Sequence, residues 1–457
     1  MTAAAAAAAG ESARHSAEGQ YQHAVQESAF RRQVRLNTQR LKRFLSFVGP
    51  GYLIAVGYMD PGNWATDLAA GSQFGYSLLT VIFFSNIAAS LLQVLAIKLG
   101  VVTGMDLARM CREQFRPWLN WTLYVICELA IIATDLAEVI GSAIALDLLF
   151  GLPLAAGVVL MGLDVLILLM AYRQNGTLKS VRIFEWLVIL MVTAVGVCFS
   201  IELAYVGAPV ADVLRGFIPE AALFTDPERI YLAMGIVGAT VMPHNLYLHS
   251  SIVQARAFLP TKEEAPQYDT SLEGLASAAT ATEPDVRRRR PGYSTFAAVR
   301  TVIRLTALDC LFALTLALFI NSAILIVGAG GFHNRLPEGE DADPADLYDA
   351  YALIGRYLGT AAAIIYAVAL FIAGQSSTLT ATLTGQIVME GFVGMAIRPW
   401  LRRIVTRSCA IVPALIVAII GGRSGITQLL VVSQVALSIQ LPFAMVPLIC
   451  VSCGRSR

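Results

Sequence analysis

Apolar segments long enough to cross a lipid bilayer recur along most of this chain. A helix that crosses the hydrocarbon core needs about 20 apolar residues. Ten such segments follow one another, at 46–70, 77–99, 121–149, 153–172, 183–206, 230–256, 301–328, 352–389, 401–420 and 425–451. The pattern predicts an all-α, multi-pass membrane protein with about ten transmembrane helices. The short chain without an obvious glycosylated outer loop fits the cell (inner) membrane of a bacterium.

Composition excludes the main alternatives to a membrane protein. Charged residues are 14% and hydrophobic residues 56% of the chain, whereas soluble domains have about 25% charged residues. A soluble enzyme or a disordered chain cannot accommodate this apolar surplus. The net charge of +1 argues against a nucleic-acid partner. The cysteines form no disulfide or zinc pattern, and Cys450 and Cys453 are interpreted as small apolar fillers.

The charged residues between these segments predict the orientation, because positive charge collects on the cytoplasmic side of a membrane. Acidic residues dominate the segment 335–349, and the connections that alternate with the basic ones are neutral or acidic. Basic residues collect in alternate connections, at 31–43, 98–118, 173–182, 287–290 and 398–407. This places the N-terminus and, after ten spans, the C-terminus in the cytoplasm.

Four parts of the chain follow from these patterns. Residues 1–43 are a disordered cytoplasmic tail that ends in a basic block and lacks the features of a secretory signal. Residues 44–256 form the first repeat and the sixth helix, and residues 301–457 the remainder of the second repeat. Between them, 257–300 is a flexible cytoplasmic insert, whose arginine run is favoured as a topology signal over a lipid contact.

Two of the predicted spans, the first and the sixth, contain helix breakers near their middles. The first carries Asp-Pro-Gly-Asn at 60–63, and the sixth carries Met-Pro-His-Asn at 242–245. Proline removes a helical hydrogen bond and clashes with the preceding turn, so each helix should break there. Interrupted segments at corresponding places in two five-helix halves indicate a transporter binding site at the membrane midplane.

The side chains beside the breaks favour a cation of a particular class. Asp60 offers a carboxylate and Asn63 an amide oxygen, and unwinding frees backbone carbonyls around Gly57 and Ala239. Met242 adds a thioether, a soft ligand that biases a site toward transition metals such as Mn²⁺, Fe²⁺ or Co²⁺. A methionine that only fills space is the alternative interpretation.

The third span presents an acidic face. Glu128, Asp135 and Glu138 lie within about 80° of arc on an α-helix, and acids inside an apolar span need partners. Four basic side chains are candidates: His244, Arg256, Arg402 and Arg403. Together these groups form either a proton path from the metal site to the cytosol or a static network of ion pairs. His249 is expected to be packed and hydrogen-bonded rather than part of the path.

The two broken segments resemble the paired signature of the NRAMP (natural resistance-associated macrophage protein) family of divalent-metal transporters. The stretches ATDLAEVIGSAIAL (133–146), GQSSTLTATLTGQIVMEGF (374–392) and SQVALSIQLPF (433–443) extend the resemblance over about residues 44–450. The resemblance implies a LeuT-like fold of 5+5 inverted repeats. It also implies proton-coupled import of Mn²⁺ or Fe²⁺ by alternating access.

The resemblance also implies roles for particular residues. Asp60, Asn63 and Met242 are metal ligands, with the backbone carbonyl of Ala239, and Gln434 approaches the metal when the site closes. Asp60 is the first proton acceptor, and the charged residues of the third span belong to a network for proton transfer. Related magnesium and aluminium transporters lack the methionine at position 242.

Two features depart from the family pattern. Many relatives carry an eleventh span, whereas this chain stops at Arg457 after the tenth, and we expect the ten-helix core to support transport. The second departure is the long insert at 257–300.

Two other functions stay open at this point. A sodium-coupled amino-acid symporter would use the same broken helices, but an Asp and a Met are poor ligands for an anionic substrate. A passive metal channel or sensor would need no acidic face on the third span. No P-loop or HExxH motif occurs, and we expect neither an enzyme nor a cofactor, with the metal ion and the proton as substrates.

Overall fold

The protein is helical throughout the part of the chain that the structure describes, and no strand occurs there. The computed structural model describes residues 57–171, 203–257, 296–333, 345–394 and 399–453, with the single positions 51, 54, 190, 193, 196, 197 and 199–201. The predicted tail 1–43 and nearly all of the insert 257–300 lie outside the described residues, as does most of the predicted span 183–206.

Fourteen helices are described. In chain order they are α1 (Pro61–Phe74), α2 (Leu79–Thr103), α3 (Leu107–Gln114), α4 (Pro117–Phe150), α5 (Leu154–Ala171), α6 (Val210–Arg215), α7 (Ala222–Thr225), α8 (Pro227–Val241), α9 (Pro243–Ala257), α10 (Phe296–Gly331), α11 (Leu347–Leu358), α12 (Thr360–Val393), α13 (Pro399–Ile420) and α14 (Gly422–Ser452).

Five of the described helices, α2, α4, α10, α12 and α14, are long and apolar enough to cross a bilayer. Large apolar side chains also point away from the protein: Leu91 on α2 is 63% exposed and Ile420 on α13 is 82% exposed. In water such exposure would be costly, whereas in lipid it is the expected surface. The prediction of an all-α, multi-pass membrane protein is confirmed. The side on which the N-terminus lies and the pairing of two five-helix repeats stay predictions.

The predicted single span 352–389 is wrong in one respect, because the structure divides it at Gly359. Helix α11 ends at Leu358 and α12 begins at Thr360. Gly359 has φ 87°, a conformation that glycine adopts without a Cβ clash. The α11 segment starts earlier than predicted because Asp346 caps its N-terminus through the backbone N–H groups of Tyr348 and Asp349.

Small residues bring α4 close to the two elements that matter most for the site. Gly141 lies against the ring of Pro61, the first residue of α1, and Gly374 of α12 lies against Ser142 of α4. Membrane helices approach closely where small residues face each other. The start of α1 is therefore held directly against the middle of α4.

The glycine at position 141 should tolerate no larger side chain. In Gly141→Ala the new Cβ would collide with the Pro61 ring, so we expect a loss of about 1–3 kcal/mol of stability, typical of an overpacked core. The matched control is Gly355→Ala on α11, where a Cβ would meet Ala363 Cβ at an ordinary 3.5 Å. Thermal unfolding of the purified variants in detergent measures the difference. Equal melting temperatures would contradict the close contact.

Ion pairs tie together the N-terminal end of α14, the start of α11 and the C-terminal end of α4. Arg423 of α14 donates to both carboxylate oxygens of Asp346, each at 2.6 Å. Its guanidinium lies 4.3 Å from the ring centre of Tyr348, and the Tyr348 hydroxyl donates to Asp147 Oδ2 at 2.8 Å. These contacts connect two helices, α4 and α14, that carry predicted site residues at their middles.

Candidate metal-binding site

The first predicted break lies where the sequence placed it. Positions 51, 54 and 57 are helical, residues 58–60 form a turn and bend, and α1 begins at Pro61. Proline is well suited to the first helical position because the N–H that it lacks has no helical acceptor there. Asp60 caps α1 by accepting a hydrogen bond from the Asn63 backbone N–H at 2.9 Å. The break therefore places a buried carboxylate at the start of a helix.

The second break has the same construction. Helix α8 ends at Val241 and α9 begins at Pro243. Met242 lies between them with φ 41° and ψ 93°, and among the described residues it is the only non-glycine residue with positive φ. This conformation is uncommon for residues with a Cβ, and strained backbone of this kind clusters at functional sites.

Each proline also removes the hydrogen-bond donor for one carbonyl of the preceding helix. Pro61 lies four residues after Gly57, and Pro243 lies four residues after Ala239. An α-helical carbonyl accepts from the N–H four residues later, and proline has none. The carbonyls of Gly57 and Ala239 are therefore left at helix C-termini, where the helix dipole is negative and favours a cation.

The two breaks share a further detail that the sequence analysis did not identify. The Asn63 amide donates to Asp60 Oδ1 at 2.5 Å, and the equivalent Asn245 amide donates to the Met242 sulfur at 3.4 Å. In each break, the asparagine three residues after the candidate ligand holds that ligand's donor atom. The repeated spacing, D-P-x-N and M-P-x-N, is the sequence feature from which this shared hydrogen bond could have been predicted.

The predicted ligands converge from three helices. A Cβ placed on Gly57 would lie 2.8 Å from Asn245 Nδ2 and 3.6 Å from the Met242 sulfur, so the two breaks are neighbours. Gln434 of α14 lies against Gly62, and its backbone lies against Gly238 of α8. The structure thus brings the tenth predicted span to both breaks.

Two oxygen atoms at this place have no hydrogen-bond partner among the described residues: Asp60 Oδ2 and Gln434 Oε1. Asp60, Asn63, Ala239, Met242 and Gln434 are each at most 1% exposed. A buried carboxylate oxygen without a partner is costly. A bound cation would supply the missing interaction for both oxygen atoms.

The predicted donors do not form a conventional cage of acidic side chains. In the described part of the chain, no group of three or more His, Cys, Asp or Glu side chains is placed to hold a metal ion. Asp60 is the only acidic side chain among the predicted ligands, and amide oxygens, carbonyls and a thioether complete the set. A single soft donor among hard oxygens favours a transition-metal ion.

The acidic face of α4 is paired with α13. Arg402 donates to both carboxylate oxygens of Glu128, at 2.7 and 2.6 Å. The Arg402 side chain is 9% exposed and the Glu128 side chain 16%. The pairing of Glu128 with Arg402 was among those that the sequence suggested.

One basic partner of the two deeper acids is a residue that the sequence analysis assigned only to the orientation of the chain. The Arg407 guanidinium lies 3.7 Å from Asp135 and 3.7 Å from Glu138, and all three side chains are at most 2% exposed. The placement of Arg407 in a connecting loop is wrong, because α13 begins at Pro399 and includes it. The sequence could have indicated this pairing, since Arg407 falls within the predicted span 401–420 and an arginine inside a span needs an acidic partner.

Polar side chains complete the neighbourhood of Glu138. The Thr378 hydroxyl of α12 donates to Glu138 Oε2 at 2.9 Å, and Arg407 contacts the same hydroxyl at 3.4 Å. Hydroxyl groups commonly link membrane helices in this way. Helices α4, α12 and α13 therefore meet in one hydrogen-bonded cluster.

The histidines of α9 lie on different faces, as predicted. His244 Nδ1 lies 3.5 Å from Thr134 Oγ1, next to Asp135 on α4. His249 Nδ1 lies 2.7 Å from Gln93 Oε1 of α2, which confirms that His249 is packed and hydrogen-bonded. Arg256 and Arg403 are in helices α9 and α13, but their side chains lie outside the described residues.

Two broken helices around buried cation donors, inside a multi-pass helical protein, define the class of secondary transporters with a midplane site. The family described as natural resistance-associated macrophage protein-like (Nramp) matches residues 51–456. The chain belongs to this family, whose members are transporters and not enzymes, and the resemblance found in the sequence is confirmed.

Curated relatives and solved structures agree with this assignment. A divalent metal cation transporter of Nostoc sp. is 48% identical over 415 residues, 91% of this chain and 84% of the relative. One of Bradyrhizobium diazoefficiens is 48% identical over 409 residues, 89% of this chain and 81% of the relative. A manganese transporter of Eremococcus coleocola, crystallised with an aromatic bis-isothiourea compound, is 33% identical. It has a TM-score of 0.70 over 91% of this chain and 82% of its own.

Proposed function

We propose that the protein imports divalent transition-metal ions, Mn²⁺ or Fe²⁺, together with protons, by alternating access. The observation that carries the proposal is the Asp60 Oδ2 atom, which is buried in the first proline break without a hydrogen-bond partner among the described residues. The second break, with the Met242 thioether, is its neighbour. The names of the relatives, a manganese transporter and divalent metal cation transporters, support the choice of cargo. The bacterial origin of these relatives favours an inner-membrane location.

The metal ligands that we propose are Asp60, Asn63, Met242 and the carbonyl of Ala239. Gln434 would complete the coordination when the site is closed, since it already lies against Gly62. The Gly57 carbonyl is a further candidate, because Pro61 leaves it without its helical donor.

The proton path that we propose begins at Asp60. Arrival of a divalent cation favours the deprotonated carboxylate, and the proton would pass by His244 to the acidic face of α4. The pair Glu128–Arg402 and the group Asp135–Arg407–Glu138 would pass the proton on toward the cytoplasm. Arg256 and Arg403 are proposed members on the basis of sequence position alone. A passive channel would have no use for this buried network.

Reconstitution in liposomes tests the proposal. Mn²⁺ uptake and internal pH are followed together in vesicles with an inward proton gradient. We expect Mn²⁺ to accumulate and the lumen to acidify in step with it. Accumulation without acidification would contradict proton coupling, and the absence of Mn²⁺ uptake would contradict the choice of metal.

The thioether is expected to set the selectivity among divalent cations. In Met242→Ala, only oxygen ligands remain, and these suit Ca²⁺ and Mg²⁺. We expect the Ca²⁺ concentration that halves Mn²⁺ uptake to fall about tenfold, which corresponds to about 1.4 kcal/mol of relative affinity. Met110→Ala, which removes a buried methionine of α3 outside the site, is the control. Unchanged Ca²⁺ inhibition in Met242→Ala would show that the sulfur does not select the metal.

A further inference from the structure

Asp67 is a buried carboxylate on α1 that the proposed transport mechanism does not use. It is 2% exposed, and its Oδ2 atom has no hydrogen-bond partner among the described residues. No basic side chain of the described part of the chain forms an ion pair with it. An acid within a membrane-spanning helix is costly and is normally retained for function.

Asp67 lies on the same face of α1 as the candidate metal ligands. It follows Asn63 by four residues and Asp60 by seven, which corresponds to rotations of about 40° and 20° on an α-helix. The rise of about 1.5 Å per residue places it about 10 Å beyond Asp60 along the helix. In the predicted orientation this direction leads toward the outside.

The contacts of two nearby α1 residues show which helices lie on either side of Asp67. Thr66 packs against Gly235 of α8, and Gly71 packs against the Leu325 carbonyl of α10. On the helix, Asp67 lies between these two directions. Its side chain therefore leaves α1 between the sides that contact α8 and α10.

Helix α10 also carries oxygen atoms that have no hydrogen-bond partner among the described residues. Asn321 donates to the Tyr58 carbonyl at 3.4 Å, just before Asp60 in the chain, while its Oδ1 atom has no partner among the described residues. The hydroxyl of the next residue, Ser322, also has no hydrogen-bond partner among the described residues. Leu325, one turn further along α10, contacts Gly71 of α1, so this part of α10 runs along the outer part of α1.

We propose that Asp67 is a second cation-binding position, which a divalent ion occupies on its way from the outside to the site at Asp60. The inference rests on the proposed metal import. The position offers a carboxylate, and hard oxygens bind Mn²⁺, Mg²⁺ and Ca²⁺ alike. It captures divalent cations without selecting among them, and selection follows at Met242.

The rate of Mn²⁺ uptake at several external concentrations tests this position. In Asp67→Asn we expect the KM for Mn²⁺ to rise about tenfold, a factor that equals about 1.4 kcal/mol. The maximal rate and the ratio of Mn²⁺ to Ca²⁺ affinity should stay as in the wild type. Asp67→Glu, which keeps the carboxylate, should retain a KM close to the wild-type value. Asp212→Asn, an exposed acid of α6, controls for loss of surface charge.

Several outcomes would overturn the proposal. An unchanged KM in Asp67→Asn, or a lower maximal rate at constant KM, would assign Asp67 to structure or to proton transfer. An equal rise of KM in the Asn and Glu variants would show that the carboxylate is not the reason. If the wild-type protein itself accumulates no Mn²⁺, the proposed function fails instead, so the two failures are distinguishable.

Discussion

Replacement of Asp60 by alanine is expected to abolish Mn²⁺ uptake. Asp60 provides the only carboxylate among the predicted ligands, and its Oδ2 atom is buried without a partner among the described residues. Without it, a divalent cation would enter a low-dielectric site that holds no compensating charge. We expect uptake at low Mn²⁺ concentration to fall about a hundredfold or more, which corresponds to about 2.8 kcal/mol.

Equilibrium binding separates loss of the site from loss of the protein. Calorimetric titration with Mn²⁺ in detergent should show binding by the wild type and none by Asp60→Ala. Asp226→Ala, at a surface cap outside the site, should bind as the wild type does. Mn²⁺ uptake and binding of normal strength in Asp60→Ala would exclude Asp60 as a ligand.

Replacement of Arg407 by leucine is expected to destabilise the protein more than any other single loss of charge outside the site. The change would remove the Arg407 guanidinium from between the buried acids Asp135 and Glu138. Removing one member of a buried ionic network costs about 3–5 kcal/mol. We expect a melting temperature several degrees lower in detergent and a loss of proton-coupled uptake.

Two further variants test whether the loss of stability in Arg407→Leu is caused by the lost positive charge. Glu138→Gln in the Arg407→Leu background removes one of the two buried acidic charges and should recover part of the stability. Arg402→Gln breaks the more accessible pair with Glu128 and should cost less than Arg407→Leu. A melting temperature of Arg407→Leu equal to that of the wild type would mean that the guanidinium does not support the two acids.

The broken helices were predictable because proline acts locally. The missing N–H and the ring clash depend on nothing beyond the neighbouring turn, so the boundaries at Pro61 and Pro243 could be predicted from the sequence. The donor types at 60–63 and 242–245 could be read in the same way. The mutual approach of the two breaks could be inferred only from the expected repeat, since it depends on long-range packing.

The partners of the buried charges were less predictable. Four basic residues were candidates for the acids of α4, and sequence position cannot show which helix faces which. Arg402 was among them, whereas Arg407 was treated as a loop charge although it lies five residues deeper on the same helix. Which arginine meets which acid depends on how α4 and α13 pack, and this is a tertiary property.

Other features were missed for similar reasons. Asp67 is an ordinary aspartate in the sequence. It is distinguished only by its burial and by an oxygen that has no hydrogen-bond partner within the described part of the chain. The break at Gly359 was missed because glycine is common inside membrane helices and breaks them only when the surrounding chain requires a positive φ. In both cases the deciding information is the environment of the residue.

The position of bound Mn²⁺ tests the central claim most directly. Crystals grown with Mn²⁺ and measured at the manganese absorption edge would locate the ion by its anomalous signal. The predicted result is a strongest peak within coordination distance of Asp60, Asn63, the Met242 sulfur and the Ala239 carbonyl. A strongest peak on the acidic face of α4, or one without contact to either broken helix, would contradict the account.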